Sequence, residues 1–310
     1  MTQLTEILGI KYPLIQGSMA RISTHELVIA VANAGGLGVL TSVGMNPEGL
    51  RSEIRQIKAE TDQPFAVNLM LMMDNIADLV KVIIEEKVPI VMTGAGTPKR
   101  YMPELLAAGI KVIPVIPSVK VAQKMEALGA VAVVAEGMES GGHIGSTTTM
   151  ALVPQVASAV KIPVIAAGGI GDGRGVAAAF ALGAQGVQVG TLFLTADETP
   201  ISEAFKLAII NANDTSTTVT GQRAGAPVRS LKNPMIEKYI ALEADGATWD
   251  ELEKLVLHSL SKAAFDGDME NGSIMAGEIA GLIKTRRPVK QIIEDLFQEA
   301  HRVIQNLERN

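Results

Sequence analysis

"PVIAAGGIGDGRG", residues 163–175, runs a continuous apolar stretch into a glycine pair and then into a helical pattern. An apolar run without polar alternation reads as a strand buried on both faces, which calls for helices on either side of a parallel sheet. The same unit recurs along the chain. Pro13 opens "PLIQGSM", Gly36 "GLGVLTS", Phe65 "FAVNLM", Ile90 "IVMTGAG", Lys111 "KVIPVIPS", Ala132 "AVVAEG" and Gly186 "GVQVGT". With the run from Pro163 these make eight, the number that closes a parallel (β/α)8 TIM barrel. A doubly wound sheet uses the same unit, but the repeat count favours the barrel.

Helix punctuation lies between the runs. In "MNPEGLRSEIRQI", Asn46 can cap, Pro47 suits the first helical position, and Leu50, Ile54 and Ile57 fall on one face. "SVKVAQKMEALGA" places Val119, Ala122 and Met125 at spacing three and stops at Gly129. After Thr191 the pattern breaks. Residues 196–269 are more charged and read as an inserted lid domain, leaving residues 1–195 and 270–310 for the barrel. In "PVKQIIEDLFQEAHRVIQNL" the stripe Ile292, Ile293, Leu296, Phe297, Ala300, Val303, Ile304 and Leu307 suits the last barrel helix.

Composition removes several function classes. The 310 residues suffice for one large α/β domain, and with 47% hydrophobic but only 3% aromatic residues the core must be aliphatic. A net charge of -6 with no Lys/Arg block argues against a nucleic-acid partner. The absence of cysteine excludes disulfides, thiolate nucleophiles and Cys-ligated zinc. His25, His258 and His301 fall in helix-like segments as surface or helix-end residues, and no histidine spacing suggests a metal site. No apolar run reaches membrane length, and "MTQLTEILGI" lacks the basic start and cleavage site of a signal peptide, so a cytoplasmic, soluble chain is expected.

Barrel sites lie at the carboxyl ends of the strands, with phosphate commonly held after the seventh and eighth. Here those ends carry Gly168 with Gly169 and Gly190 with Thr191, whose N–H groups can approach a phosphate. Gln16, Ser18, Thr41, Ser42, Asn68, Thr93, Ser118 and Glu136 end other strands and are expected to converge on one mouth. Asn68 is the most telling: a buried amide without partners costs about 1–3 kcal/mol, and the edge of a heteroaromatic ring or the neighbouring loop backbone would satisfy it. No G-x-G-x-x-G follows an early strand, and "GIGDGRG" lacks the acidic residue that would bind a ribose. A mononucleotide-sized phosphate ligand fits better. His143, in "EGMESGGHIG" from Glu136 to Gly145, sits on a side-chain-poor loop, so a ligand stack, together with loop backbone and a neighbouring carboxylate, is expected to hold it.

Taken together, "QGSMA", "AGGLGVL", "FAVNLML", "TGAG", "IPVIPS", "AEGMESGGHIG", "IPVIAAGGIGDGRG", "VQVGT" and "GSIMAGEIAGLI" resemble the FMN-dependent enoyl-acyl carrier protein reductase II group of the nitronate monooxygenase (2-nitropropane dioxygenase) superfamily, nearly end to end. The resemblance implies FMN across the strand ends and NADH or NADPH as cosubstrate. It also implies acyl carrier protein-bound enoyl substrates and a homodimer. By position it assigns FMN binding to Gly17, Ser18, Met19, Asn68, Glu136, Gly141, Gly168, Gly169, Gly190, Thr191, Met275 and Gly277, and catalysis to His143.

The chain departs from the family pattern at Ser18 (usually Gly), Arg21 (Trp), Leu192 (Arg), Glu278 (Gln) and, within "GAPVR", Ala226 (His). Rival readings are a nitronate monooxygenase using FMN and oxygen, an NAD(P)H:quinone reductase, and a non-catalytic phosphate-ligand-binding barrel. Arg223, Arg229, Lys232 and Lys238, with Lys99 and Arg100, are candidates for docking an acidic carrier protein.

Overall fold

The computed structural model describes residues 2–309. Its strands are β1 (Leu14–Gln16), β2 (Gly38–Thr41), β3 (Phe65–Met70), β4 (Ile90–Gly94), β5 (Lys111–Ile116), β6 (Val133–Glu136), β7 (Gly142–His143), β8 (Val164–Ala167), β9 (Gly186–Val189), β10 (Thr217–Thr220) and β11 (Val228–Leu231). Eight of them form a parallel sheet in the order β1-β9-β8-β6-β5-β4-β3-β2. The sheet closes on itself: Leu37 N–H donates to the Leu14 carbonyl at 2.8 Å, and Gln16 N–H donates to the Leu37 carbonyl at 2.9 Å. Every barrel strand falls within one of the eight apolar runs, so the fold is the expected (β/α)8 barrel.

Period-two alternation explains why those runs are apolar throughout. Ile15, Val39, Ala66, Ile90, Ile113, Val134 and Ile165 fill the barrel interior. Leu14, Leu40, Val67, Val91, Val112, Val133 and Val187 pack under the surrounding helices. The helix Gln3–Leu8 plugs one end, burying Leu4 and Leu8 in the same cluster as the barrel interior.

The caps follow the sequence reading. Asn46 Oδ1 accepts from Gly49 N–H at 2.8 Å at the start of the helix Pro47–Glu60. Asp172 caps the helix Gly173–Ala181 by accepting from Arg174 and Gly175 N–H at 3.0 and 3.1 Å. The final helix Val289–Glu308 packs against that helix and against His25–Asn33, which places it between the seventh and first β/α units. Its buried face is Val289, Ile292, Ile293, Leu296 and Ala300, and the stripe runs out before Leu307, which is exposed.

Residues 196–269 contribute the β10–β11 hairpin and helices including Pro234–Ala244, Trp249–Val256 and Ser259–Ala264. The hairpin's sheet takes in a piece of the barrel loop, its order being β10-β11-β7. Among the described residues, no helix is long and apolar enough to cross a membrane.

Candidate active site

One cavity of about 730 Å³ opens at the carboxyl ends of the barrel strands, within the range of small-molecule and cofactor sites. Gly17, Ser18, Met19, Asn68, Glu136, Gly141, His143, Gly168, Gly169, Gly190, Thr191, Met275 and Gly277 all line it. The barrel strands supply most of these, and the late loop brings Met275 and Gly277. Gly277 N–H donates to Thr191 Oγ1 at 2.9 Å and Glu278 N–H to the Glu139 carbonyl at 3.0 Å, holding that loop over the glycine tips. Gly141 lets the loop close: a Cβ there would lie 2.6 Å from the Ala276 carbonyl carbon.

The polar series divides. Ser18, Thr41, Asn68 and Glu136 face the cavity, whereas Gln16, Ser42, Thr93 and Ser118 do not. Gln16 is committed to structure, its Oε1 accepting from Val39 N–H at 2.9 Å and its Nε2 donating to Ser23 Oγ at 2.8 Å. Ser118 caps the helix Val119–Ala127. Ser42 and Thr93 are buried outside the cavity lining. An end-of-strand position fixes height on the barrel; the pleat decides whether the side chain faces the mouth.

His143 is held differently from the sequence expectation. It lies in β7, paired antiparallel with β11 so that His143 stands opposite Val228, and Ile144 N–H donates to the Pro227 carbonyl at 3.1 Å. Main-chain bonds to the hairpin fix the loop, leaving the imidazole free to face the cavity. A two-residue strand has no periodicity from which to read it.

Unclaimed hydrogen-bonding groups gather at the mouth. Ser18 Oγ and Gln188 Oε1 are buried without a partner among the described residues. Among the described residues Asn68 has no side-chain hydrogen bond, so it does not turn back onto loop backbone. The N–H groups of Gly168, Gly169, Gly190 and Thr191 are taken up by no other described group. This donor and acceptor set fits the phosphate and ring edge of a flavin mononucleotide. Gln188 was missed in sequence, although its signal was the one that picked out Asn68: a lone amide in an apolar strand. Ala226, Pro227, Trp249 and Leu260 from the 196–269 segment complete the lining with an apolar roof.

Two ionisable groups are shifted in opposite chemical senses. Burial pushes the Glu136 carboxyl up to about 7, and desolvation lowers the His143 imidazole below its ordinary value. Because Glu136 keeps its proton in the folded state above the pH at which the unfolded chain releases it, its contribution to stability falls as pH rises from the ordinary carboxylate range toward 7. In flavin-free protein, Glu136→Gln is expected to raise the melting temperature at pH 8, by a stabilisation on the order of 3 kcal/mol. The gain should shrink steadily as pH is lowered toward 4.5. Thermal unfolding across that range checks it, and a gain independent of pH would refute it.

Arg229 is 5% exposed and lies within the structure, which removes it from any docking face. Arg223 is occupied too, Nη1 donating to the Glu243 carbonyl at 2.8 Å.

A barrel whose strand-end glycines and amides line a cavity fitted to a phosphorylated heteroaromatic group is that of a cofactor-dependent barrel enzyme. A model of the nitronate monooxygenase family matches residues 1–81 and 76–299, and the chain belongs to that family. It is a flavin-dependent oxidoreductase. The solved structure of FabK from Thermotoga maritima is 47% identical, with a TM-score of 0.97, over 99% of this chain and 98% of that one. A 5-hydroxy-7a-methyl-1-oxo-octahydro-1H-indene-4-carboxyl-CoA dehydrogenase of Mycobacterium tuberculosis is 34% identical, over 96% of each chain. A probable nitronate monooxygenase of Staphylococcus saprophyticus is 32% identical, over 98% of each.

Proposed function

We propose that the chain reduces trans-2-enoyl thioesters on acyl carrier protein, with FMN across the strand ends and NADH, or NADPH, as the source of hydride. The observation that carries the reading is the meeting of two sets of groups on one cavity. The barrel strands present unclaimed amide, hydroxyl and N–H groups, and the small sheet presents His143 beneath an apolar roof. Likeness to FabK at 47% identity supports the enoyl substrate.

Gly168, Gly169, Gly190 and Thr191 would hold the phosphate, Asn68, Gln188, Ser18 and Glu136 the ring edges, and Met19 and Met275 the ring faces, with Gly17, Gly141 and Gly277 allowing close approach. FMN held there would supply hydride-transfer chemistry between the nicotinamide and the β-carbon of the enoyl thioester. His143 then delivers a proton to the α-carbon. Segment 196–269 serves as the lid over the acyl group, with Trp249 and Leu260 adding apolar surface to the cavity lining.

The depressed pKa of His143 gives a specific reason to keep a second reading, nitronate monooxygenase, in which neutral imidazole takes a proton from a nitroalkane. The two demand opposite protonation states. As a proton donor His143 must be imidazolium, so kcat/KM for enoyl thioester should fall as pH rises through its depressed pKa; as a base it must be neutral, and kcat/KM for nitroalkane should rise. The test is anaerobic turnover of NADH with an enoyl thioester, set beside quinone and, in air, nitronate. Selective reduction of the thioester supports the proposal, and turnover confined to nitronate and oxygen overturns it.

A further inference from the structure

Arg229 closes the "GAPVR" stretch, and the function proposed above leaves it without a role. Each of its three guanidinium nitrogens has a partner. Nε and Nη2 donate to the Met138 carbonyl at 3.2 and 3.1 Å, Nη1 donates to Thr217 Oγ1 at 3.2 Å, and Nη2 pairs with Glu278 Oε1 at 2.8 Å. The partners come from separate parts of the chain. Met138 lies on the loop leading to His143, Thr217 belongs to β10, and Glu278 follows Gly277 of the late loop. On the main chain, Arg229 stands opposite Gly142 and its neighbour Val228 opposite His143.

A buried guanidinium tolerates the loss of partners poorly, because its desolvation is offset only by the contacts it keeps. It therefore holds its three partner segments in one arrangement. The Glu278 side chain is 47% exposed, so screening keeps the pair's Coulombic contribution to global stability small. Its effect is on local geometry. The carboxylate aims the fork at Met138, and Glu278 N–H anchors the late loop to the Glu139 carbonyl at 3.0 Å.

We propose that the Arg229–Glu278 pair is a latch that positions His143, locking β7, the β10–β11 hairpin and the late loop in a single register over the cavity. Neither residue lines the cavity, so both act through His143 and the late loop.

The turnover arm of the test rests on the enoyl-reductase reading; the hydrogen-exchange arm does not. In Glu278→Ala, amide exchange at Gly142, Ile144 and position 278 should quicken by about tenfold while the barrel strands stay as protected as before. The kcat of the flavin-loaded protein for enoyl thioester should fall by about tenfold, and KM for NADH should change much less. Glu278→Gln keeps an acceptor for Arg229 and should restore most of both effects. Arg229→Lys, which cannot make the forked contact, should match Glu278→Ala. Unchanged exchange at β7 in Glu278→Ala overturns the latch, as does quickened exchange with undiminished kcat. Wild-type protein inactive on enoyl thioesters would sink the substrate reading, and the latch would then stand or fall on exchange alone.

Discussion

Replacing His143 by alanine is expected to lower turnover of an enoyl thioester by about 10³-fold while the protein purifies with its flavin. The reasoning starts from how the residue is held. Its loop is fixed by main-chain pairing with Val228 and by the Ile144 N–H bond to Pro227, neither of which needs an imidazole. The side chain is exposed to the cavity rather than packed in the core, so truncation should alter folding stability by no more than about 0.5 kcal/mol. What alanine removes is the group proposed to deliver a proton. Steady-state kinetics with flavin content measured on the same sample separates the outcomes. Loss of turnover with flavin retained places His143 in the chemistry, whereas loss of flavin places it in the architecture.

Gly168→Ala is expected to weaken FMN binding by about 10²-fold or more. Gly168 has a φ of +89°, and a Cβ there would lie 2.8 Å from the Gly137 carbonyl oxygen and 3.1 Å from Thr149 Oγ1. Neither neighbour can yield. Gly137 N–H donates to the Ala167 carbonyl at 2.9 Å, and Thr149 Oγ1 donates to Glu139 Oε2 at 2.9 Å or to the Gly168 carbonyl at 3.0 Å. The tip itself must move, carrying the Gly168 and Gly169 N–H groups away from the proposed phosphate position. Gly109→Ala isolates the strain: Gly109 has a φ of +74° with nothing within 4 Å of a built Cβ, so it bears the conformational cost without the collision. Fluorescence titration of flavin-free protein should show near-normal affinity in Gly109→Ala and a large loss in Gly168→Ala. Equal affinities in the two would refute the phosphate role of the tip.

The barrel was legible because each strand is buried on both sides, which writes an unbroken apolar run such as "PVIAAGG" directly into the sequence. The glycine tips were legible for a related reason, since "AAGG" and "VGT" sit where the strand geometry ends. Long-range partnerships were not. Arg229 looks like any surface cation within "GAPVR", and only the approach of Met138 and Glu278, distant in sequence, turns it into a buried, multiply bonded group. The pairing of β7 with β11 escaped for the same reason, being two residues long and joined across the insert. Among the strand-end polar residues, Gln16 and Asn68 read alike. Gln16 meets Val39 N–H and Ser23 Oγ inside the barrel wall, and Asn68 meets open cavity, a difference that depends on the neighbouring strands.

The most direct trial of the account is a single anaerobic turnover. Protein carrying FMN is reduced with one equivalent of NADH in the absence of oxygen and then mixed with a trans-2-enoyl thioester on acyl carrier protein. The account predicts that the oxidised-flavin absorption returns as the saturated thioester forms, one for one. Absorption that stays bleached until oxygen is admitted, with the enoyl thioester recovered unchanged, would contradict it.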